Sequence, residues 1–332
     1  MIEYSKDFIK ELSILLAKDF DRTDYLNVLG KSFTGILPND KVGVLPGGGF
    51  TDSVIAGCNP TFKSQPSLDK ETWSLNNFMI ATQWCYDQLD SELKRNQALY
   101  DLTENEAANA WITDYMQRAL SESVIARAMF ASTTTADYTT AGLNGINGIL
   151  TQMLNYVSGG QADASQVVPI TTNTKAWGKT GTNAIDTLEA LIDAASADVK
   201  ASPNAVIVMT QAFYDCLRYN LVINKGIYVE SQWTALFGGL KETEYNGYKI
   251  IIVPAMDNVI THMVSGDKFY QKPLVAYMTT TDNVLFGSQS TKEAGIADLD
   301  IFNDKNTQTT KAIAKFSLGV VIPSAKDFSL AY

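Results

Sequence analysis

A single long helix is predicted over residues 103–130, and no other feature of this 332-residue sequence restricts the fold as much. Thr103 and Glu106 have the spacing of a capping box, and no proline or glycine follows before Phe130. Its apolar stripe consists of Trp111, Ile112, Tyr115, Met116, Ala119, Leu120, Val124 and Ile125. At 1.5 Å per residue, about 26 residues make a rod of roughly 40 Å, while helices in globular domains average about 11–12 residues. The fold must therefore accommodate an unusually long rod.

A strand of comparable length is predicted near the C-terminus, in residues 310–323. The residues expected to face the core are Ala312, Ala314, Phe316, Leu318, Val320 and Ile322. Those expected on the opposite face are Lys311, Lys315, Ser317 and Gly319. About 12 residues of strand span roughly 40 Å, so the strand and the helix match in length. Packed together, they predict an elongated platform rather than a sphere.

Residues 35–70 predict an extended segment that leaves the body of the subunit. The stretch contains six glycines, four prolines and no helical period. It is too long for an ordinary connection, because connections in compact domains have a median of about 4–6 residues. It is also too rich in Val, Ile and Phe for a solvated linker. We therefore expect a β-rich excursion that lies on something outside its own domain.

Two further helices are predicted, over residues 3–20 and 184–200, because apolar residues recur in each at three- and four-residue steps. The first is interpreted as a packed N-terminal helix or, alternatively, as an arm that binds a partner. The second is capped by Thr182 or Asn183 and stops before Pro203.

Short elements are predicted in the rest of the chain. The apolar strand 205–209 leads into a helix capped by Thr210, and Asn246-Gly247 is the strongest short hairpin signal. Residues 131–183 carry only four charged side chains, so we expect much of this segment to be buried or in contact with neighbours. Further short strands are predicted at PLVAYMT, NVLFGS and DLDIF.

Charge and composition exclude several functional classes. The net charge is −10, from 26 Lys and Arg against 36 Asp and Glu, so tight or sequence-specific nucleic-acid binding is not expected. No stretch approaches the roughly 18 apolar residues of a membrane span, and the acidic sequence MIEYSKDFIKEL does not predict a secretory leader. Cys58, Cys85 and Cys216 are scattered, which favours a reducing compartment over a disulfide framework or a zinc site.

No catalytic, cofactor-binding or metal-binding residue is predicted. His262 is the only histidine, no nucleophile elbow accompanies it, and a surface or loop position is favoured over a catalytic one. Residues 178–180 (GKT) lack the earlier glycine and the strand of a phosphate-binding loop, and a polar loop is expected there. Residues 47–49 (GGG) lack the pattern of a dinucleotide site and favour a bending loop.

Two groups of acidic residues are also interpreted without a ligand. Asp298, Asp300, Asn303 and Asp304 lack the central glycine and closing Glu of a calcium loop, so a solvated strand and turn is expected. Glu242 and Glu244 are placed on the outer face of a hairpin arm.

The order of these segments resembles the major capsid protein of tailed bacteriophages, the HK97-type fold. GILPNDKVGVLPGGGF…SLDKETWSLNNF resembles its extended E-loop, and TENEAANAWITDYMQRALSESVIARAMF resembles the spine helix of its peripheral (P) domain. NAIDTLEALIDAASADVKASPNAVIVMTQAFYDCL and NGYKIIIVPAM resemble the helices and central sheet of its axial (A) domain. NVLFGS…DLDIFND…TKAIAKFSLGVVIPSAKDFSLAY resembles the closing strands of the P domain.

The resemblance implies an α+β, HK97-like capsid fold with long β-strands in the P domain and a central sheet flanked by helices in the A domain. The segments expected are an N-terminal arm (1–34), the E-loop (35–78), a P domain with its spine helix at about 103–130 (79–182), an A domain (183–266) and strands returning to both domains (267–332).

The resemblance also implies a structural protein rather than an enzyme, with no cofactor. It would assemble with itself into hexamers and pentamers of an icosahedral shell around double-stranded DNA, without sequence-specific DNA contacts and without a membrane. The expected partners are a separate scaffold protein, a portal and, where present, a decoration protein. The expected location is the virion, after assembly in the host bacterial cytoplasm.

Three alternatives stay open from the sequence. An encapsulin-type nanocompartment shell shares the fold, and its N-terminal helix binds cargo, as the helix at 3–20 would allow. A different class is an α/β enzyme that uses His262. A third is a surface or tail-associated structural protein that forms fibres or tubes.

Overall fold

The computed structural model describes residues 24–44, 69–85, 104–134, 142–224, 234–235, 241–289, 296–304 and 309–332. The predicted helix at 3–20, the capping residue Thr103, residues 47–49 and Cys58 lie outside these ranges. The described residues form a mixed α and β fold, as the sequence predicts.

The described residues contain both helices and strands. The helices are α1 (Asp24–Leu29), α2 (Glu104–Phe130), α3 (Ile149–Ser158), α4 (Lys175–Lys179), α5 (Asn183–Ala194), α6 (Ala197–Ala201), α7 (Gln211–Tyr219) and α8 (Pro254–His262). The strands are β1 (Lys31–Phe33), β2 (Lys41–Val44), β3 (Asp69–Thr72), β4 (Ser74–Cys85), β5 (Val167–Val168), β6 (Ala205–Met209), β7 (Thr234–Ala235), β8 (Lys241–Tyr245), β9 (Tyr248–Ile252), β10 (Ala276–Thr280), β11 (Leu285–Gly287), β12 (Ile296–Asp304), β13 (Thr309–Val321) and β14 (Phe328–Ala331).

The predicted long strand is confirmed as β13, the centre of a five-stranded sheet. Strand β4 pairs with it in antiparallel register along one side. Strands β12 and β11 share its other side, and β1 pairs in parallel with β11. Most of β13 therefore has partners on both sides, which fixes its length and its direction.

The predicted long helix is confirmed as α2, which packs against one face of this sheet. Its stripe is buried at Ile112, Met116, Leu120, Val124 and Ile125. Ala119 is half-buried, and the side chain of Trp111 is not among those that the structure describes. Tyr115 is 38% exposed, although its ring makes an edge contact with Trp84 of β4 at 5.2 Å. Removing this apolar stripe from water is what holds the helix on the sheet.

The opposite face of β13 is covered at its C-terminal end. Lys315 is exposed on this face, whereas Ser317 is not. Ser317 is buried and its Oγ lies 3.0 Å from Oγ of Ser288. A small cluster covers this end of the face, and its buried members are Ile36, Trp73, Leu285 and Val321.

A second, seven-stranded sheet has the order β5-β14-β10-β6-β9-β8-β7. The predicted strand 205–209 is confirmed as β6, all of whose residues are buried. The hairpin turn between β8 and β9 is also confirmed, because Asn246 and Gly247 have positive φ angles of 51° and 82°, as the two central residues of a type I′ turn require. Strands β5 and β14 were not predicted, because two and four residues carry too little pattern.

The predicted helix 184–200 is wrong in its continuity, because two helices, α5 and α6, occupy this segment. Ala195 breaks the helix with an extended conformation (φ −70°, ψ 146°). Ser196 then caps α6, since its hydroxyl accepts from the amide of Val199 at 3.3 Å and contacts Oδ1 of Asp327 at 3.1 Å. The N-cap at Thr182 is in place, but its hydroxyl donates to Asp186 instead of capping the backbone.

Amide side chains tie the weakly charged segment 131–183 to later strands. Gln152 donates to the carbonyl of Val320 at 2.8 Å and accepts from the amide of Ile322 at 3.1 Å. Asn173 makes the same paired contact with Leu274, at 2.8 and 2.7 Å. Neutral side-chain amides therefore satisfy backbone N–H and C=O groups of these strands, and an amide does this without burying a charge.

One core joins the two sheets. It contains apolar residues from α2 and β13 together with residues of β6, β9 and β10 from the seven-stranded sheet. Tyr277 of β10 is fully buried, and its hydroxyl contacts the Met129 sulfur of α2 at 3.8 Å. Burial raises the pKa of Tyr277, so this phenol stays neutral.

Candidate assembly surfaces

The predicted excursion begins and ends on one hairpin. Strands β2 and β3 pair in antiparallel register, with Val44 directly opposite Asp69. Below the hairpin, the Trp73 amide donates to the carbonyl of Asp40 at 2.9 Å, and the Asp40 carboxylate accepts from the amide of Leu37 at 2.8 Å. The two ends of the intervening segment are therefore held side by side.

A close-packed cluster anchors this hairpin to the five-stranded sheet. We call it the excursion root and define it as Ile36, Trp73, Leu285 and Val321. Gly287 lies beneath it, where a Cβ would come within 2.7 Å of the Trp73 ring and 2.8 Å of Ile36 Cδ1. Only glycine allows the sheet and the root to approach this closely.

Apolar side chains remain exposed around the root and on the sheet. Phe33 is 45% exposed although it makes an edge contact with Trp73, and Leu37 is 61% exposed. Met79 of β4 is 57% exposed. The other large exposed apolar residues among those described are Tyr115, Tyr219, Ile223, Val264, Tyr270 and Phe302. A surface of this kind suits several separate contacts of modest area more than one large interface.

An aromatic and cationic contact fixes α2 to the sheet. The Arg127 guanidinium lies 4.5 Å from the Phe78 ring centre and 5.8 Å from that of Phe316. It also contacts the hydroxyl of Ser123, while its buried Nε has no hydrogen-bond partner among the described residues. Burial lowers the pKa of Arg127. Cation–π attraction and the helix C-terminus both favour a positive charge here, so Arg127 has a structural role.

His262 lies in a groove between α2 and α8, which is where an enzyme that uses this histidine would have its active site. The groove has a volume of about 480 Å³, and it is lined by Glu122, Ser123, Ala126, Leu143, Ala255, Asn258, Val259 and His262. His262 is exposed, as expected, and its Nδ1 lies 2.7 Å from the Asn258 carbonyl of its own helix. The Ser123 hydroxyl contacts Arg127 instead of His262. The groove therefore lacks the nucleophile–base contact that acyl-transfer chemistry needs.

The GKT segment, Cys85 and Cys216 all lie within the described residues. Residues 178–180 were expected to be a polar loop, which is wrong in part, because Gly178 and Lys179 belong to helix α4. Gly178 is buried there, and an added Cβ would lie 3.0 Å from both the Cys216 sulfur and Cδ1 of Leu274. Burial also raises the pKa of the Cys216 thiol, whereas Cys85 is exposed at the end of β4.

The two acidic groups lie on strands. Asp298 and Asp300 occupy positions of β12 opposite Lys315 and Ile313 of β13. Glu242 of β8 forms an ion pair with Lys249 at 2.9 Å. Among the residues that the structure describes, no three His, Cys, Asp or Glu side chains come together as a possible metal site. Within the same residues, no helix has the length and apolar character needed to cross a membrane.

The fold is similar to those of known capsid structures, although no protein-family model and no curated protein matches the sequence. It matches a chain of Mycobacterium phage Ogopogo with a TM-score of 0.56, over 92% of this chain and 90% of that chain, at 13% identity. It matches a chain of the satellite phage P4 procapsid including the size determination (Sid) protein with a TM-score of 0.52, over 96% and 98%, at 12% identity. The chain has the HK97-type capsid fold.

A third match covers a similar share of this chain. It is a chain from the capsid of the native GTA particle, with a TM-score of 0.50 and 13% identity over 93% of this chain and 89% of that chain. The HK97-type capsid fold therefore covers nearly all of the sequence. No single motif in the sequence could have located the excursion root, since its residues come from four separate segments.

Proposed function

We propose that this chain is a major capsid protein, the shell subunit of a tailed bacteriophage or a related particle. The observation that carries the proposal is the fold, which matches phage and GTA particle chains over 92–96% of this chain. In this proposal, residues 35–78 are the E-loop, 79–182 the P domain and 183–266 the A domain, with an N-terminal arm before them. Residues 267–332 return to both domains.

The subunits form hexamers and pentamers of an icosahedral shell that encloses double-stranded DNA in the virion. The excursion root supports this, because it holds a long segment at a fixed place on a rigid sheet, with exposed Phe33 and Leu37 beside it. The net charge of −10 keeps the shell from binding tightly to the DNA it contains. A separate scaffold protein, a portal and a decoration protein are the proposed partners, and assembly takes place in the bacterial cytoplasm.

Expression of the chain alone, followed by electron microscopy and sedimentation velocity, tests the shell function. The expected result is closed particles, or rings of five and six subunits. A protein that stays monomeric at high concentration, or that forms fibres or tubes, contradicts it.

The contents of the particles separate a capsid from an encapsulin-type compartment. Particles from phage-producing cells should protect double-stranded DNA from nuclease. Particles that instead hold a cargo enzyme and no DNA would show that the compartment alternative is correct.

A further inference from the structure

Two neighbouring strands pass together from one sheet to the other. β10 of the seven-stranded sheet leads into β11 of the five-stranded sheet, and β13 leads back into β14. Thr279 pairs with Phe328 on one side of this passage, and Leu285 pairs with Val321 on the other. The ladder is interrupted between these two pairs, so backbone groups of the two connections need other partners.

The side chain of Asn283 supplies such partners. It is 5% exposed, and its amide nitrogen donates to the carbonyls of Ser324 and Asp327, both at 3.0 Å. Its side-chain oxygen accepts from the backbone amide of Ser324 at 2.8 Å. The hydroxyl of Thr279 also donates to the Asp327 carbonyl, at 2.7 Å. One neutral side chain therefore uses both its donors and its acceptor to fasten the first connection to the second.

A surface ion pair spans the same passage, and it is the weaker contact. Asp282 contacts Lys31 of β1 at 2.7 Å and Asn204, just before β6, at 3.1 Å. The side chains of Lys31 and Asp282 are 58% and 46% exposed, so water and salt screen their attraction. The bonds of Asn283 are shielded from water, and a buried polar network of this kind favours one particular arrangement of the groups that it joins.

The angle between the sheets depends on these hydrogen bonds as well as on the apolar core that the sheets share. Apolar burial is non-directional, whereas a hydrogen bond weakens steeply when its angle changes. The bonds of Asn283 lie where the chain crosses from sheet to sheet, so a change of the angle would stretch or bend them.

We propose that Asn283 is a positioning residue that sets the angle between the two sheets and, through it, the curvature of the assembled shell. This inference rests on the proposed shell function. In a closed assembly of identical copies, the geometry of one subunit and its interfaces determines how the assembly closes. A small change of angle inside the subunit is repeated in every copy, so it should appear as a changed particle diameter.

A matched pair of amide deletions tests the inference. Asn283→Ala removes the bonds between the two connections. Asn173→Ala removes the same kind of buried paired contact, with the backbone of Leu274, but this contact joins segments beside the seven-stranded sheet only. Particle diameters are measured by electron microscopy, and urea denaturation compares the subunits. We expect Asn283→Ala to at least double the spread of particle diameters, and Asn173→Ala to lower subunit stability while the diameter stays unchanged.

Three outcomes would count against the inference. A folded Asn283→Ala subunit that forms particles of the unmodified diameter and spread overturns it and leaves the shell function intact. An equal change in both variants also overturns it, because loss of stability alone would then explain the effect. If the unmodified chain never assembles, the proposed function and this inference both fail.

A milder variant decides the question if Asn283→Ala does not fold. Thr279→Val removes only the hydroxyl bond to Asp327, and valine suits a strand position. Ser329→Ala is its control, since the buried Ser329 hydroxyl donates to the Leu191 carbonyl at 2.7 Å, away from the two connections. We expect Thr279→Val to broaden the diameters by a smaller factor than Asn283→Ala, and Ser329→Ala to leave them unchanged. Identical particles from the two variants contradict the inference.

Discussion

Asp257 shows how one side chain joins two helices. Its carboxylate, on α8, accepts hydrogen bonds from the amides of Gln211 at 2.7 Å and Ala212 at 3.0 Å, at the start of α7. Burial raises the pKa of Asp257, although these two bonds act in the opposite direction. The carboxylate therefore satisfies the first turn of α7 in addition to the cap that Thr210 supplies.

The raised pKa of Asp257 predicts a pH dependence of stability. Between the unfolded pKa of about 3.9 and the raised native pKa, the native state binds more protons than the unfolded state. The free energy of unfolding contributed by Asp257 is therefore greatest below that window and is lost as pH rises through it. Asp257→Asn should remove this dependence, as measured by urea denaturation of unassembled subunits at acidic and neutral pH.

Asp282 supplies a control of opposite sign. Hydrogen bonds from Lys31 at 2.7 Å and Asn204 at 3.1 Å lower the pKa of its carboxyl group. Its contribution is therefore present above the unfolded pKa and is lost as pH falls through the native pKa. Identical pH profiles for Asp257→Asn and Asp282→Asn would contradict this account.

Gly287 is the residue on which the excursion root depends. In Gly287→Ala the new Cβ would meet the Trp73 ring and Ile36. We therefore expect the free energy of unfolding to fall by about 1–3 kcal/mol because of overpacking. We also expect fewer subunits to assemble, because the excursion root is displaced. Thermal unfolding and sedimentation velocity measure the two effects. If the crowding is with Trp73, the double variant Trp73→Leu, Gly287→Ala should lose less stability than the sum of the single variants.

At the scale of elements, α3 holds the end of β13 through side chains. Gln152 bonds the backbone of Val320 and Ile322, and the Tyr156 hydroxyl donates to the carbonyl of Ile322 at 2.7 Å. Burial raises the pKa of Tyr156, so this donor keeps its proton at neutral pH. The strand therefore ends in bonds to a helix rather than in a continued ladder.

Replacement of Gln152 should weaken this end of the sheet. Gln152→Ala leaves buried backbone groups without partners, so we expect a loss of about 2–3 kcal/mol in urea denaturation. Gln161→Ala, at an exposed position just beyond α3, is the matched control and should change stability by less than about 0.5 kcal/mol. Equal effects of the two changes would show that the bonds of Gln152 contribute little.

At the scale of the whole molecule, we expect the excursion to be separable from the rest of the subunit. Val44 and Asp69 face each other in the hairpin, so an Asn-Gly turn in place of residues 45–68 fits the register. We expect this variant to fold, with a thermal midpoint within a few degrees of the unmodified subunit, but to assemble poorly. Electron microscopy and thermal unfolding test both parts.

Either of two results would contradict this prediction. If the variant fails to fold, the excursion is part of the core of the subunit. If the variant forms normal shells, the excursion makes no contact that assembly requires.

The sequence by itself determined the elements whose signals are local and strong. The long helix α2, the long strand β13, the strand β6 and the Asn246-Gly247 turn all follow from periodicity, caps or turn residues within a short window. The order of these elements was also enough to predict the HK97-type fold.

The tertiary structure alone decided the features that join distant segments. The excursion root combines residues between 36 and 321, and Ser196, which follows the break at Ala195, contacts the distant Asp327. Burial of Ser317 follows from its contact with Ser288, and the position of β4 beside β13 follows from the strand order. Local sequence cannot encode these, because each depends on which segments lie side by side after the chain has folded.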